Sequence, residues 1–369
     1  MDQKPDNKTN QALYEAWLSC SPSLSLQARQ RLKNEYPDTA DFFERFPSAS
    51  RELISKKAYE ELASLREKGL HKIKEALDRS VIAVAIPGDE CFPEQLLSIE
   101  DAPALLFYRG LLQKTEPRAI AMVGSRRETR YGREQAFKIA RELAEHGVTV
   151  VSGLARGIDT AAHLGALEAG GRTIAILGSG IKNIYPKENE ALAEKIIQSG
   201  GALVSEFAPM AEPLAYHFPI RNRLISGFSQ GVLLIEAREK SGTLITVGHA
   251  LMQSREVFAL PGPVDAPGSV VPNRMIRDGA RLVTCAMDLL EDMGWAKREE
   301  SVQTSFLPPD LTNEERRLYD ALCHEPLPFT ELMEAAGMTA AELNVLLTGL
   351  EMKDLIETLP GRVFKAKTR

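Results

Sequence analysis

Four short segments share one layout: an apolar run, a loop of Gly, Ser, Arg or Lys, and the start of a helix. They are Met122–Arg126, Val151–Asp159, Ile176–Lys182 and Ile235–Thr243. Glycine lets a ligand approach the backbone, serine offers a hydroxyl, and arginine presents a planar fork suited to phosphate. Helix N-termini add unpaired backbone N–H groups that attract anions. The chemistry on offer is anion binding, and its candidate residues are Gly124, Ser125 and Arg126, then Ser152 and Gly153. Tyr185-Pro186-Lys187 adds an aromatic ring and a cation, the pairing that holds single strands by stacking and charge. Arg221-Asn222-Arg223 opens a helix with two cations, and Lys240 and Ser241 precede another.

Other chemistries lack their signatures. Gly178-Ser-Gly180 lacks the third glycine of a dinucleotide fingerprint, because Asn183 stands in that place. There is no Gly-x-x-x-x-Gly-Lys-[Ser/Thr] loop and no Cys-x-x-Cys. No metal cluster and no nucleophile–base pair stands at a recognisable spacing. The expectation is therefore no cofactor and no catalytic residue. Asp159 reads as a helix cap and His163 as a packed helix residue. Glu206 and Glu236 each end a strand and read as carboxylates paired with Arg221 or Arg223.

These loops need a scaffold that gathers strand ends. From Arg118 to about Met293 the pattern alternates strand and helix. Strands are expected at 119–123, 149–151, 173–177, 203–205, 232–235, 257–260 and, more weakly, 282–283; helices are expected at 132–146, 158–169 and 188–198. Near-continuous Val, Ile and Leu imply strands buried on both faces. The fold class is α/β, a doubly wound, mostly parallel Rossmann-like sheet. Val81–Ile86 and Ala104–Tyr108 would join or flank it.

Residues 1–80 read as a helical N-terminal domain and 81–296 as the core. Residues 297–310 form a polar linker ending in Pro-Pro, and 311–369 three helices plus a hairpin, a winged helix. The 369 residues carry a formal net charge of -6, so nucleic-acid binding must rest on local charge. Between Pro117 and Leu290 there are 20 Lys and Arg against 17 Asp and Glu, whereas from Leu311 onward acids lead 10 to 7. The winged helix is thus poorly equipped for duplex phosphates, and a protein-contact or accessory role is expected of it. No signal core or membrane-length apolar run is evident, and a cytoplasmic protein with reduced thiols is expected.

The ordered series Gly124-Ser-Arg126, Ser152-Gly-Leu-Ala-x-Gly-Ile-Asp159, Ala162-His163, Tyr185-Pro186, Ser205-Glu206, Phe218-Pro-x-Arg-Asn-Arg223, Glu236, Lys240-Ser-Gly242 and Pro261-Gly262 resembles the DNA-processing protein A (DprA, or Smf) family from about Gly88 to Gly294. The resemblance implies a single-stranded DNA-binding recombination mediator of natural transformation (competence). Such a protein protects incoming strands and loads RecA, without catalysis, as a homodimer through its core. It implies Arg126 and Lys187 as principal phosphate contacts, with Arg221, Asn222 and Arg223 in support. This chain departs from the pattern at Val271, where the family has glycine, and carries an additional cation at Arg156. One alternative is a nucleotide-processing enzyme, an N-glycosidic hydrolase on a related fold, with Glu206 or Glu236 as its carboxylate. Another is an adaptor that acts through the winged helix.

Overall fold

The computed structural model describes residues 7–46, 53–239, 241–296, 311–324, 326–353 and 355–367. The expected linker, 297–310, lies outside them. The chain divides into two units, the second beginning at Arg298.

The first unit is built on a nine-stranded sheet, β1 (Ala83–Ala85), β2 (Leu106–Gly110), β3 (Ala119–Val123), β4 (Thr149–Ser152), β5 (Thr173–Ile176), β6 (Ala202–Ser205), β7 (Gly231–Leu234), β8 (Glu256–Ala259) and β9 (Arg281–Leu282). Their spatial order is β1-β2-β6-β5-β4-β3-β7-β8-β9. From β6 to β9 all neighbours are parallel; β1 and β2 complete one edge antiparallel. After β1 and β2 at the edge, the parallel part begins in the middle at β3, steps outward to β6, then returns to lay β7 on the other side of β3. Connections leaving β3 and β7 therefore diverge, and a crevice opens at their carboxyl ends.

Alternate residues of β3 face opposite layers, as the pleat requires. Ile120 and Met122 pack with α6 (Arg130–Glu145) and α7 (Ile158–Glu168), and Ala121 and Val123 with α9 (His217–Gly227) and α10 (Thr243–Met252). Between β5 and β6 lies α8 (Glu190–Gln198), and α11 (Val270–Arg277) and α12 (Ala286–Asp292) follow β8 and β9. Among the described residues five N-terminal helices, α1 (Asn7–Ser19), α2 (Leu26–Glu35), α3 (Thr39–Arg45), α4 (Lys56–Lys68) and α5 (Leu70–Arg79), precede the sheet. Buried Trp17, Phe42, Phe46 and Leu62 form one continuous apolar cluster with Phe107, Leu177 and Leu203 of the sheet region. The N-terminal helices and the sheet thus form one compact body.

The second unit contains α13 (Asn313–His324), β10 (Leu327–Pro328), α14 (Phe329–Ala336), α15 (Ala340–Met352), β11 (Ile356–Leu359) and β12 (Val363–Ala366). The β11–β12 hairpin pairs with β10 as a three-stranded sheet. Thr312 caps α13 while Glu315 bonds back to the Thr312 amide. This is a winged helix; β10 is the strand its sequence did not announce, being only two residues long.

Candidate nucleic-acid interface

A cleft of about 810 Å³ lies outside the carboxyl ends of β3 and β7. Its walls come from the turn after β3 (Gly124–Arg127), the loop after β7 (Arg238, Ser241–Thr243) and the first turns of α9 (Phe218, Arg221, Asn222). The two loops are tied together, since Thr243 Oγ1 donates to the Gly124 carbonyl at 3.1 Å. Arg126, Arg127 and Arg238 are exposed at this rim. The Arg126 guanidinium lies over the Phe218 ring at 4.9 Å, within cation–π range. That ring stands 5.8 Å from the ring of exposed Tyr185. Charge and aromatic faces are therefore presented side by side.

Beneath them is a buried polar floor. Arg221 Nη1 donates to the carbonyls of Gly153, at 2.9 Å, and Ile176. Asp159 accepts from the amides of Gly153 at 3.0 Å and Ala155 at 3.4 Å. It therefore fastens the loop after β4 and does not cap α7, whose N-cap is Gly157. Burial pulls the Arg221 pKa down to about 10, opposed by the nearby Asp159 charge, so the guanidinium stays cationic at neutral pH. Burial also raises the Asp159 carboxyl, against the pull of Arg221. Glycine at position 153 leaves room for this pair, since a Cβ there would stand 2.7 Å from both Arg221 Nη2 and Asp159 Oδ2 and would displace them.

The candidate residues separate accordingly. Gly124, Ser125, Arg126, Arg221, Asn222 and Ser241 line the cleft. Gly153 lines a smaller hollow of about 200 Å³ beside it, shared with Arg126, Tyr185 and Pro186. Lys187 directly follows Pro186, is exposed and pairs with Glu190 at 3.1 Å. Lys240 lies outside the described residues. Two expectations are corrected. Ser152 is buried and donates to the Met122 carbonyl at 2.7 Å, so its hydroxyl joins strands and faces no ligand. Arg223 is buried and bonds Glu206 at 2.6 Å; the turn of about 100° per helical residue carries it away from the cleft that Asn222 meets.

The carboxylates are also spoken for. Glu206 holds Arg223, as expected. Glu236 does not pair with an arginine; it accepts from the amide and hydroxyl of Thr129, which itself caps α6. His163 is buried, with Nδ1 2.7 Å from Thr173 Oγ1, and burial pushes its pKa down to about 3. Among the described residues no cluster of His, Cys, Asp or Glu has the arrangement to hold a metal, and no helix is long and apolar enough to cross a membrane.

Phe218, Arg127 and Arg238 line the cleft without having been singled out as site residues. The doubled arginine after Gly-Ser was a usable signal for Arg127. Nothing local marks Phe218 as a platform, because its partners lie on loops distant in sequence.

Fold and site define a doubly wound α/β protein with a cationic, aromatic-edged cleft at its switch point, followed in the chain by a winged helix. The family model of DNA recombination-mediator protein A matches residues 83–294, and that of the DprA winged helix domain matches 303–362. The chain belongs to this DprA/Smf family. It is 42% identical to protein Smf of Escherichia coli over 282 residues, covering 75% of each chain. It is 43% identical to DNA processing protein DprA of Streptococcus pneumoniae over 204 residues, 55% of this chain and 72% of that one. The solved structure of the S. pneumoniae protein covers 76% of this chain and 97% of its own, with 35% identity and a TM-score of 0.62. A structure of the Helicobacter pylori protein, described for its single-stranded DNA binding mode, covers 57% of this chain and 95% of its own, with 26% identity and a TM-score of 0.51.

Proposed function

We propose that this chain is a non-catalytic recombination mediator that binds single-stranded DNA in the cleft outside β3 and β7. The observation that carries the reading is the convergence of Arg126, Arg127 and Arg238 around the Phe218 and Tyr185 rings, above the buried Arg221. Phosphates would sit on the guanidinium groups and unpaired bases on the ring faces. Bases in a duplex are stacked on one another and cannot use those faces, so the arrangement favours a single strand. The H. pylori relative, described for its single-stranded DNA binding mode, supports the same reading.

In this reading Lys187 exchanges Glu190 for a phosphate, because an exposed ion pair contributes little to stability. Ser241, which lines the cleft, extends the phosphate track before α10, and Lys240, its neighbour in sequence, would add a cation. Residues 1–80 serve as a helical module, 81–296 as the binding core, 297–310 as a linker and 311–369 as a winged-helix accessory. Following the family resemblance, the protein acts in the cytoplasm as a homodimer through its core, shields strands taken up during transformation and passes them to RecA. The enzymatic alternative needs a carboxylate free to act; Glu206 and Glu236 both hold protein groups.

Fluorescence anisotropy with labelled oligothymidine, across a salt series, tests the central claim. Binding should weaken as salt rises and depend little on base sequence. Equal affinity of the wild type and an Arg126→Ala/Lys187→Ala variant, both folded, would sink it. Release of free base from nucleoside monophosphates would favour the enzyme instead.

A further inference from the structure

A second hollow, of about 590 Å³, lies between α6 and α7. Its apolar lining is Phe137, Ala161 and Leu164, and around them stand Arg126, Arg133 and Arg156 together with Glu128, Glu134 and Glu188. The volume falls within the range of pockets that take small organic groups. It is not isolated. Arg126 borders the main cleft, the small hollow beside Tyr185 and this one, and Arg156 borders the latter two. The three depressions therefore adjoin in series at Arg126.

Local backbone geometry builds that junction. The Ile158 amide donates to the Ser125 carbonyl at 3.2 Å, drawing the start of α7 against the turn after β3. Gly157 permits the approach: its φ is +81°, and a Cβ there would stand 2.2 Å from the Ser125 carbonyl oxygen. Arg126 and Arg156 are thereby carried on adjoining loops.

We propose that the α6–α7 hollow is a second nucleotide subsite, occupied by an unpaired base of the strand that leaves the main cleft past Arg126. The proposal rests on the reading of the main cleft as a strand site. The occupant is argued from adjacency to the main cleft, from the apolar lining, and from Arg126 and Arg156 on the loops between the two. The base lies on Phe137 and Leu164, and its flanking phosphates meet Arg126 and Arg156. In the free protein Arg156 donates to both oxygens of Glu188, at 2.7 and 2.9 Å. Both side chains are 55% exposed, so solvent screens the pair, and a phosphate takes the place of Glu188 by supplying the same bidentate acceptor. Glu134, also on the rim, is already engaged by Arg130 at 2.6 Å. Arg133 is left as the cation at the far end of the series.

The test is a length series of labelled oligothymidines, from about four to about fifteen nucleotides, the span over which single-strand sites are usually filled. Two variants close the hollow without touching the main cleft. Leu164→Trp fills it from an exposed position on α7, and Arg133→Glu reverses charge at its far rim. The wild type should tighten in two stages with length. Both variants should bind the shortest strands within about twofold of the wild type and lose about tenfold on the longer ones, the effect of one stacked base. Wild-type affinity for long strands in both folded variants overturns the subsite while leaving the main cleft standing; that is also the outcome if the hollow receives a peptide. No binding at any length by the wild type removes the main-cleft reading and this one with it.

Discussion

The cleft of the sheet unit and helix α15 of the winged helix are the two places where this chain would be expected to meet nucleic acid, and they are built oppositely. In a winged helix the recognition helix enters the major groove with its N-terminal residues against bases and backbone. Here the exposed residues along α15 include Asn344, Val345, Thr348 and Glu351, with no Lys or Arg among those of the helix. Its N-terminus is closed by a capping box: Glu342 accepts from the Thr339 amide at 2.8 Å, and these hydrogen bonds hold its carboxyl below the usual range. A carboxylate thus stands at the helix N-terminus and meets the dipole there. On the wing, Arg362 lies over Phe329 at 4.3 Å and bonds Asn344 at 3.2 Å. The cleft instead leaves three arginines at its rim above a fourth fixed in its floor. The winged-helix architecture and the exposed arginines thus fall in different regions of the chain, and the proposed strand site follows the arginines.

The largest expected effect is on the cleft side of this contrast. Arg126→Ala with Arg127→Ala should weaken oligothymidine binding by about 100-fold and lower the salt slope by about 1 to 2, as expected for lost phosphate contacts. Titrations at several salt concentrations check both numbers. Phe218→Ala removes the ring beneath Arg126 and should cost about tenfold in affinity with the salt slope kept, because stacking is lost and charge is not.

Two tests address the rigidity of the floor. Gly153→Ala pushes a methyl against Arg221 and Asp159, both buried and held by backbone hydrogen bonds. It should lower stability by about 1 to 3 kcal/mol in a denaturant titration. The buried His163, whose pKa is pushed down to about 3, refuses a proton that the unfolded chain accepts below about pH 6.5. The unfolded chain then binds more protons, so this contribution is complete above pH 6.5 and is lost as pH falls toward 3, at about 1.4 kcal/mol per unit. A His163→Gln variant should lack that slope, which separates it from the opposite contribution of Asp159, whose raised carboxyl binds its proton earlier in the folded state.

The smallest effect is expected from removing the second unit. Truncation at its boundary, before Arg298, should leave oligothymidine affinity within about twofold. A large loss would show that the winged helix shares the strand and would erase the contrast between the two regions.

The alternation of apolar strands and helices, the parallel sheet and the winged helix were legible in the sequence, because backbone periodicity and burial are local properties that residue order displays directly. The placement of Gly124, Ser125 and Arg126 at the sheet edge was legible for the same reason, since a turn between strand and helix brings its residues to the carboxyl end of the strand. Which arginine faces outward was not. Arg221 and Arg223 share one motif, yet one supports the cleft from below and the other is sealed against Glu206. Ser152 sits in an equally suggestive loop and bonds inward to β3. Phe218 becomes a platform only because the turn after β3 brings Arg126 over it. A side chain's partners are set by packing among elements far apart in the chain, so its type is written in the sequence while its availability is decided by the tertiary structure.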